Sequence, residues 1–327
     1  MKVLSLFDGI SCGRIALEKC GIEIEKYYAC EIKQDALIVS KDNYPDIIQL
    51  GDVTKVTKDV VGGGIDLLIG GSPCQSFSNA GKREGFDGKS GLFWEYIRLL
   101  KEIKPKYFLL ENVKMKKEWE NIITDTLKEI YPDVKMYNIN SQLVSAQLRN
   151  RFYWTNISGI EQPKDKQIKL QSILEDGYTE REKSRAILES EGDNCVNPQK
   201  IIRRVIEKGW GTIVYDSEKT YLRIKEATKK GYTDIGINEG FDLSYPTSKT
   251  RRGRAMRDKI HTIMESPQEY YLFDGESIRY FTQLELERCQ TLPEGYTKIL
   301  NRNKAARVIG DGWTVDVIAH IFSFLKK

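Results

Sequence analysis

The residue of this sequence best placed for chemistry is a cysteine at the end of a buried apolar run. Ile65–Gly70 has the composition of a buried strand and continues into Gly71-Ser72-Pro73-Cys74-Gln75. A cysteine thiolate is a nucleophile suited to covalent catalysis. The glycine-rich stretch 76–91 that follows is typical of a loop that closes over a substrate. The other five cysteines have no such context, and we expect them to be packing residues.

A carboxylate follows the neighbouring strand. Tyr107–Leu110 is a second buried apolar run, and Glu111-Asn112-Val113 comes directly after it. Because ligands of doubly wound sheets bind beyond the carboxyl ends of the strands, we expect Glu111 to lie beside Cys74. A protonated Glu111 would be an acid partner for the thiolate, and this requires burial to raise its pKa.

Two arginines and a glutamine recur at alternate positions farther along. Gln147, Arg149 and Arg151 precede the apolar run 152–154, and alternation on an extended segment places all three on one face. Each of these features alone is commonly a turn or a solvated strand face. Their joint occurrence at sheet ends favours a catalytic site.

The loop after the first apolar run predicts a nucleoside site. Its segment 7–13, Phe-Asp-Gly-Ile-Ser-Cys-Gly, leads directly into a helix, with the spacing G-x-x-x-G. That spacing disfavours the pyrophosphate cradle of dinucleotide folds. Glu31 ends the second strand, where a carboxylate accepts ribose hydroxyls, and Asp52 follows the third strand, where it could meet an adenine amino group. The alternative is that Gly9 and Gly13 serve only a tight strand–helix turn.

These residues need a sheet to position them, and the first third of the chain alternates strands with helices accordingly. Apolar runs at Val3–Phe7 and Lys26–Cys30, with the two buried runs above, predict strands; Gln34 to about Ser40 and Leu92–Ile103 predict helices. The fold class is therefore α/β, with a doubly wound, mostly parallel sheet and helices on both faces. Helical periodicity returns at 284–289 and in a stripe from Val315 to Leu325.

Composition excludes several classes of protein. The chain has 327 residues, and its 51 Lys+Arg against 47 Asp+Glu give a net charge of +4. Six dispersed cysteines and two histidines, with no C-x-x-C or H-x-x-x-H spacing, predict reduced thiols and no metal site. No apolar run approaches the roughly 18 residues that span a bilayer. We expect a cytoplasmic monomer that does not bind membranes.

Charge is concentrated in the irregular middle of the chain. Residues 199–259 hold 15 Lys/Arg and 8 Asp/Glu, so 15 − 8 gives a local net charge of +7. The run Lys249-Thr250-Arg251-Arg252-Gly253-Arg254 offers phosphate contacts, and an Arg bidentate to guanine would read sequence. A solvated charged turn is the alternative for this run alone.

Taken in order, these motifs resemble a known family. The chain is similar to S-adenosylmethionine-dependent cytosine-5 DNA methyltransferases of the bacterial and phage type. The resemblance rests on the loop 7–13, Pro73-Cys74-Gln75, Glu111-Asn112-Val113, Gln147/Arg149/Arg151, Arg279-x-x-Thr282-x-x-Glu285-x-x-Arg288-x-Gln290-x-x-Pro293 and Gly310-Asp311-Gly312-Trp313-Thr314-Val315. Asp311 stands where the bacterial pattern usually has Asn, and Trp313 is more like the eukaryotic de novo branch.

The resemblance implies a mechanism and a set of roles. Cys74 would add to cytosine C6, Glu111 would protonate N3, and Arg151 with Arg149 would hold the O2 side of a flipped-out base. It implies S-adenosyl-L-methionine as cofactor, bound by Phe7, Asp8, Gly9, Ile10, Gly13, Glu31, Ile32, Asp52, Val53, Pro73, Asp311 and Trp313. It implies double-stranded DNA as partner, contacted by Gln75, Ser78, Asn112, Gln147, Arg251, Arg252, Arg254 and Thr262.

The same resemblance divides the chain and leaves alternatives. Residues 1–157 and 279–327 would form the catalytic, cofactor-binding domain with a Rossmann-like fold, and 158–278 a smaller irregular target-recognition domain. A cognate restriction endonuclease is a second candidate partner. The same chemistry on tRNA stays open, although the basic insert favours DNA. A catalytically silent DNA-binding paralogue is disfavoured by the presence of Cys74 and Glu111, and a nicotinamide-dependent oxidoreductase by the loop spacing.

Overall fold

The structure is a computed structural model of the whole chain. It describes residues 1–72, 91–179, 181–187, 214–216, 221–237, 239–242, 254–256, 270–272, 277–279 and 281–325.

A seven-stranded sheet forms the centre of the molecule. Its strands are β1 (Lys2–Leu6), β2 (Lys26–Cys30), β3 (Ile48–Gln49), β4 (Leu67–Gly71), β5 (Tyr107–Val113), β6 (Lys135–Asn140) and β8 (Asn150–Thr155), and a two-residue strand β7 (Gln147–Leu148) precedes β8. The order is β3-β2-β1-β4-β5-β8-β6. The first five strands are parallel, and β8 runs antiparallel to both neighbours. The predicted α/β class with a mostly parallel sheet is confirmed.

Helices cover both faces because alternate strand residues are apolar on both sides. The helices are α1 (Cys12–Lys19), α2 (Gln34–Asn43), α3 (Leu92–Ile103), α4 (Lys117–Lys128), α5 (Gln283–Cys289), α6 (Arg302–Asp311) and α7 (Val315–Phe322). In β1, Val3 packs in the layer that contains α1, α2 and the three C-terminal helices, while Leu4 and Leu6 pack in the layer of α3 and α4. This two-sided burial explains why the strands are continuous apolar runs.

The C-terminal helices return to the first helix. The predicted stripe lies in α7, where Val315, Ile318 and Ile321 are fully buried and the helix packs against α1. Helix α5 begins with a capping box, in which the Thr282 hydroxyl accepts from the Glu285 backbone and the Glu285 carboxylate accepts from the Thr282 backbone. Both helices predicted in this part of the chain are therefore present.

Among the described residues, short strands follow β8, and most of them pair antiparallel. They are β9 (Ser184–Arg185), β10 (Val214–Asp216), β11 (Tyr221–Lys225), β12 (Tyr232–Gly236), β13 (Gly240–Asp242), β14 (Arg254–Met256), β15 (Tyr270–Leu272) and β16 (Ser277–Arg279). β10 pairs with β16, β11 with β12, and β13 with both β14 and β15, all antiparallel; β9 pairs with β7 in parallel.

Several apolar side chains of the segment 158–278 pack in the main core. Ile160, Leu170, Ile173 and Ile187 belong to the same apolar cluster as β1 and α7, and Arg279 lies in β16 opposite Val214. Val214 belongs to this cluster as well, so the segment 158–278 contributes apolar side chains to the main core at several points along its length. In the part of the chain that the structure describes, no helix is both long and apolar enough to cross a bilayer.

Candidate active site

The ends of β4 and β5 form the centre of the candidate site. Gly71 of β4 lies opposite Glu111 of β5, so the chain leaves β4 beside this carboxylate. Ser72 follows, and Cys74 is two residues beyond it. Cys74, Pro73, Gln75 and Ser78, all expected at the site, lie outside the described residues.

Two donors from distant parts of the chain hold the Glu111 carboxylate. The Arg151 Nε lies 3.0 Å from Oε1, and the Trp313 indole nitrogen donates to Oε2 at 3.1 Å. Glu111 is 8% exposed. In the β5–β8 register Glu111 lies opposite Tyr153, which places Arg151, two residues earlier, on the same face. Each carboxylate oxygen therefore has its own fixed partner.

A glycine leaves room for this arrangement. A Cβ on Gly71 would lie 2.7 Å from Glu111 Oε2 and 3.0 Å from the Trp313 indole nitrogen. Tyr153, across the β5–β8 pair, is buried, and this burial raises the pKa of its hydroxyl; the nearby Glu111 charge raises it further. Tyr153 is therefore neutral at physiological pH.

Asn112 connects the two strand ends. Its side-chain amide donates to the Ser72 hydroxyl at 3.1 Å, and its carbonyl oxygen accepts from the Val113 backbone at 2.8 Å. Asn112 is 1% exposed. It therefore holds the residue from which the chain continues toward Cys74.

Gln147 and Arg149 lie in a buried polar network. The Gln147 amide donates to the Cys289 carbonyl and to Gln290 Oε1, and its oxygen accepts from the Ile187 backbone. The Arg149 guanidinium donates to the carbonyls of Ile187 and of two glycines that flank Asp311, Gly310 and Gly312. Both side chains lie on the face that alternation predicts, but their partners here are protein groups.

Gln290 was missed as a functional residue by the sequence reasoning. Its amide donates to the carbonyls of Ile309 and Gly312, and its oxygen accepts from the Thr314 hydroxyl at 2.7 Å. The motif 279–293 contained the signal, since a buried glutamine must have hydrogen-bond partners. Gln290 and Arg149 together fix the α6–α7 link that carries Trp313.

The first loop makes a sharp turn between β1 and α1. Phe7, Gly9 and Ser11 have φ values of 58°, 59° and 60°. A Cβ on Gly9 would meet nothing within 4 Å, so space is open beside it. Ile10, expected at the cofactor, is fully buried, and its carbonyl accepts from the Tyr296 hydroxyl.

Gly13 has a packing role that the sequence did not reveal. A Cβ there would lie 2.4 Å from Ile69 Cδ1 and 3.1 Å from the Tyr27 hydroxyl. This glycine therefore allows α1 to approach the sheet.

Asp8 is tied into the protein through both carboxylate oxygens. The Tyr27 hydroxyl donates to Oδ1 at 2.8 Å and the Ser11 hydroxyl to Oδ2 at 2.6 Å. Burial raises the pKa of Asp8 to about 6, although these donors act in the opposite direction. These two hydrogen bonds tie the Asp8 side chain to β2 and to the residue that precedes α1, and so help to fix the shape of the loop.

The end of β2 presents a carboxylate and an apolar side chain. Glu31 Oε2 accepts from the Gly9 backbone, and Oε1 accepts from the backbones of Ile32 and Lys33. A carboxylate has about four acceptor positions, so these bonds leave about one for a ligand hydroxyl. Ile32 is 73% exposed.

Asp52 and Val53 begin a short 3₁₀ helix, Val53–Lys55, after β3. The Thr54 backbone and hydroxyl donate to the Asp52 carboxylate, and these bonds lower its pKa. Val53 is buried. Asp52 is therefore ionised and caps the 3₁₀ helix through Oδ1. Its Oδ2 takes no part in these two bonds.

Asp311, the last residue of α6, forms an ion pair with Lys33, which directly precedes α2. Lys33 Nζ lies 2.5 Å from Asp311 Oδ2, and Lys304 pairs with Asp35 nearby at 2.8 Å. Both pairs join the start of α2 to α6. Lys33 could not be predicted as a partner of Asp311, because the two residues are 278 positions apart.

Of the expected DNA contacts in the insert, the structure describes Arg254, which is exposed at the start of β14. Arg251, Arg252 and Thr262 lie outside the described residues. Within the ranges given above, no group of three or more His, Cys, Asp or Glu side chains is arranged to hold a metal ion. Burial raises the pKa of the Cys12 and Cys30 thiols to about 12, so both stay protonated.

A mostly parallel sheet of this strand order, with helices on both faces, defines a doubly wound α/β protein. The family model for C-5 cytosine-specific DNA methylase matches residues 1–327, and the chain belongs to this family. Members of the family use S-adenosylmethionine as methyl donor.

Individual relatives agree with this assignment. The type II methyltransferase M.NgoPII of Neisseria gonorrhoeae is 28% identical over 350 residues, which cover 100% of this chain and 96% of the relative. The orphan methyltransferase M.Rho11sI of Bacillus phage rho11s is 38% identical over 162 residues, which cover 47% of this chain and 32% of the relative. The match thus spans about a third of the phage protein's length. Entamoeba histolytica methyltransferase EhMeth has a TM-score of 0.66 at 15% identity, covers 100% of this chain and 99% of its own, and shares the fold.

Proposed function

We propose that this protein is a DNA (cytosine-5)-methyltransferase that acts on a flipped-out cytosine through a covalent bond between Cys74 and C6. The observation that carries the proposal is the Glu111 carboxylate, held by Arg151 and Trp313 beside the strand from which the chain continues to Cys74. A nucleophile and an acid at adjoining strand ends are what activation of a cytosine ring requires.

The described residues of the first three strand ends fit S-adenosylmethionine. Open space beside Gly9 suits the close approach of a ligand to the backbone. The remaining acceptor position of Glu31 suits a ribose hydroxyl, the exposed Ile32 side chain suits the apolar face of an adenine, and the ionised Asp52 suits its amino group. When bound, this cofactor supplies an electrophilic methyl group on a sulfonium sulfur.

The side chains of this protein activate and then release the base. The Cys74 thiolate forms a bond to C6, and the displaced electrons pass through C5 and C4 to N3, where Glu111 adds a proton. C5 becomes nucleophilic as a result. Arg151 lies against the acid and provides positive charge that favours the thiolate.

The last steps of the proposed reaction restore the aromatic cytosine ring. Once C5 carries the methyl group, a base removes the C5 proton, the C5–C6 double bond re-forms, and the bond between C6 and the Cys74 sulfur breaks. Glu111 recovers its proton from N3. We assign the removal of the C5 proton to a water molecule. Because Gln147 and Arg149 bind protein groups, our proposal gives them the role of positioning the α6–α7 link.

The proposed partner is duplex DNA, bound by the basic insert. The type II designation of M.NgoPII supports a role beside a restriction endonuclease, and the orphan designation of M.Rho11sI supports methylation without one. We propose a cytoplasmic monomer. Flipping the base costs a few kcal/mol, which the phosphate contacts must offset.

Bisulfite sequencing of DNA from cells that express the protein tests the proposal. We expect methylated cytosines in one short sequence context with the natural chain and none with Cys74→Ser. Cys20→Ser is the matched control, since Cys20 directly follows α1 and its thiol donates to the Ala319 carbonyl, and it should retain methylation. Methylation that persists in Cys74→Ser would refute the covalent mechanism. A parallel assay on tRNA decides the substrate: methylated tRNA with unmodified duplex DNA would refute the DNA assignment.

A further inference from the structure

Trp313 lies where the link between α6 and α7 reaches the candidate site. Its indole ring is partly buried, close to where Cβ atoms on Gly13 and Gly71 would stand. Its nitrogen, which is a donor and not an acceptor, points at Glu111 Oε2. Gly71, at the end of β4, leaves space for the ring, since a Cβ there would lie 3.0 Å from the indole nitrogen, whereas a Cβ on Gly13 would stand at an ordinary contact distance of 3.6 Å.

The backbone on both sides of Trp313 is fixed by buried groups. The Gly312 carbonyl accepts from Arg149 at 3.0 Å and from Gln290 at 3.1 Å, and the Thr314 hydroxyl donates to Gln290. Arg149 and Gln290 are 6% and 0% exposed. Because this backbone is fixed, the indole ring of Trp313 has little freedom to move with Glu111. The indole therefore sets the orientation of the Glu111 carboxylate.

Glu111 has different restraints on its two oxygens. Arg151 pairs with Oε1 and projects from the antiparallel strand β8, whereas Trp313 donates to Oε2 and projects from the C-terminal block, 202 residues away. With the Oε1 partner alone, the carboxyl plane could still rotate about that contact. The second donor removes this rotation.

We propose that Trp313 is a positioning residue that orients the Glu111 carboxyl group for proton transfer, through the hydrogen bond from its indole nitrogen to Oε2. This inference rests on the proposed function, because it requires that Glu111 donate a proton to the base. This positioning role differs from a role in cofactor binding alone, since the hydrogen bond on which it depends joins Trp313 to Glu111.

The test replaces Trp313 by Phe, which keeps an aromatic ring and removes the N–H donor. A donor to a carboxylate favours its ionised form, so its loss favours the protonated form. Since Glu111 acts protonated, the basic limb of the single-turnover pH–rate profile should move to higher pH. The rate at the plateau should fall about tenfold, since the acid is less well oriented.

Cofactor affinity, measured by calorimetry, separates this role from cofactor binding. In Trp313→Phe we expect the S-adenosylmethionine dissociation constant to stay within about threefold, because the ring remains. A large rise in that constant with an unchanged pH profile would overturn the proposal.

Trp154→Phe is the matched control. Trp154 is fully buried on the same strand as Arg151, and its indole nitrogen donates to the Thr124 hydroxyl at 2.9 Å on the other face of the sheet. This variant should lower the melting temperature and leave the pH profile in place. The same profile shift in Trp154→Phe would refute a specific role for Trp313.

Gly71→Ala gives a second, independent variant. Its methyl carbon would lie 2.7 Å from Glu111 Oε2 and 3.0 Å from the indole nitrogen, too close to both, so the two groups must shift and their hydrogen bond is disturbed while the tryptophan is kept. We expect the pH–rate profile of Gly71→Ala to resemble that of Trp313→Phe. A folded Gly71→Ala protein with the natural profile would overturn the proposal. If the natural chain methylates neither DNA nor tRNA, the proposed function itself fails, and this outcome is distinct from those above.

Discussion

Gly13→Ala tests whether this glycine serves packing or ligand approach. The added methyl carbon would lie 2.4 Å from Ile69 Cδ1, whereas non-bonded carbons prefer roughly 3.5–4.0 Å. The Ile69 side chain, the sheet or α1 must therefore move by about an ångström. Overpacking of this kind costs about 1–3 kcal/mol, offset by about 0.5–1 kcal/mol because alanine favours a helix over glycine. We expect a net loss of about 1–2 kcal/mol in the free energy of unfolding.

Ile69→Val makes the experiment specific, because it deletes the one atom, Cδ1, that the alanine would strike. Alone it should cost about 0.5–1.5 kcal/mol. In the double variant the alanine methyl fills the space that Cδ1 leaves, so the double variant should be about as stable as Ile69→Val. Urea unfolding of the four full-length proteins, followed by intrinsic fluorescence, gives the coupling between the two sites.

Gly9→Ala is the control for the same loop. Gly9 has a φ of 59° and nothing within 4 Å of a Cβ, so its substitution costs about 1–2 kcal/mol through the backbone, and Ile69→Val should not relieve it. Additive losses for Gly13→Ala and Ile69→Val would refute the packing explanation. So would a Gly13→Ala protein of natural stability that has lost cofactor affinity.

Two further predictions concern charge. Because burial raises the pKa of Asp8 to about 6 from 3.8, the folded state binds more protons than the unfolded state between these values, and the contribution of Asp8 to stability falls as pH rises from about 4 to about 6. Asp8→Asn should therefore gain up to about 3 kcal/mol relative to the natural chain between pH 4 and pH 7 in urea unfolding; a pH-independent difference would contradict this. Asp311→Asn removes an exposed ion pair with Lys33 and should cost no more than about 1 kcal/mol, less at high salt. A loss above about 2 kcal/mol would show that the pair is not an ordinary surface contact.

The sheet and most helices near the site follow from local sequence. Lys26–Cys30 and Leu92–Ile103 have the bounds that their composition predicts, since apolar runs and the Pro105 that follows α3 are local signals. The juxtaposition of Glu111 with the chain leading to Cys74 follows from strand order, and the register of Gly71 with Glu111 has this geometry. Burial on both faces makes such strands recognisable without knowledge of their neighbours.

The partners of Glu111 and Arg149 could not be predicted, because they depend on tertiary packing. Trp313 reaches Glu111 over 202 residues, and Arg149 reaches Gly312 over 163. No periodicity encodes such contacts. For the same reason the glycine pattern of the first loop suggested ligand approach at both positions, whereas Gly13 makes room for Ile69.

The packing of the segment that follows β8 could not be predicted, because this segment is irregular. Residues 158–187 have little regular structure, yet Ile160, Leu170 and Ile187 are buried in the main core. The concentration of charged residues and the loss of regular strand–helix alternation indicate a change of secondary structure. They do not show which core the apolar side chains join.

Trapping on duplex DNA that carries 5-fluorocytosine tests the covalent mechanism most directly, because fluorine at C5 leaves no proton to remove and blocks release of the thiolate. With S-adenosylmethionine present, we expect a denaturation-resistant complex of the full-length protein with DNA, and mass spectrometry should locate the bond at Cys74. The complex should be absent with Cys74→Ser and present with Cys20→Ser. A protein that methylates ordinary cytosine yet forms no complex, or one bonded through another residue, would contradict the account.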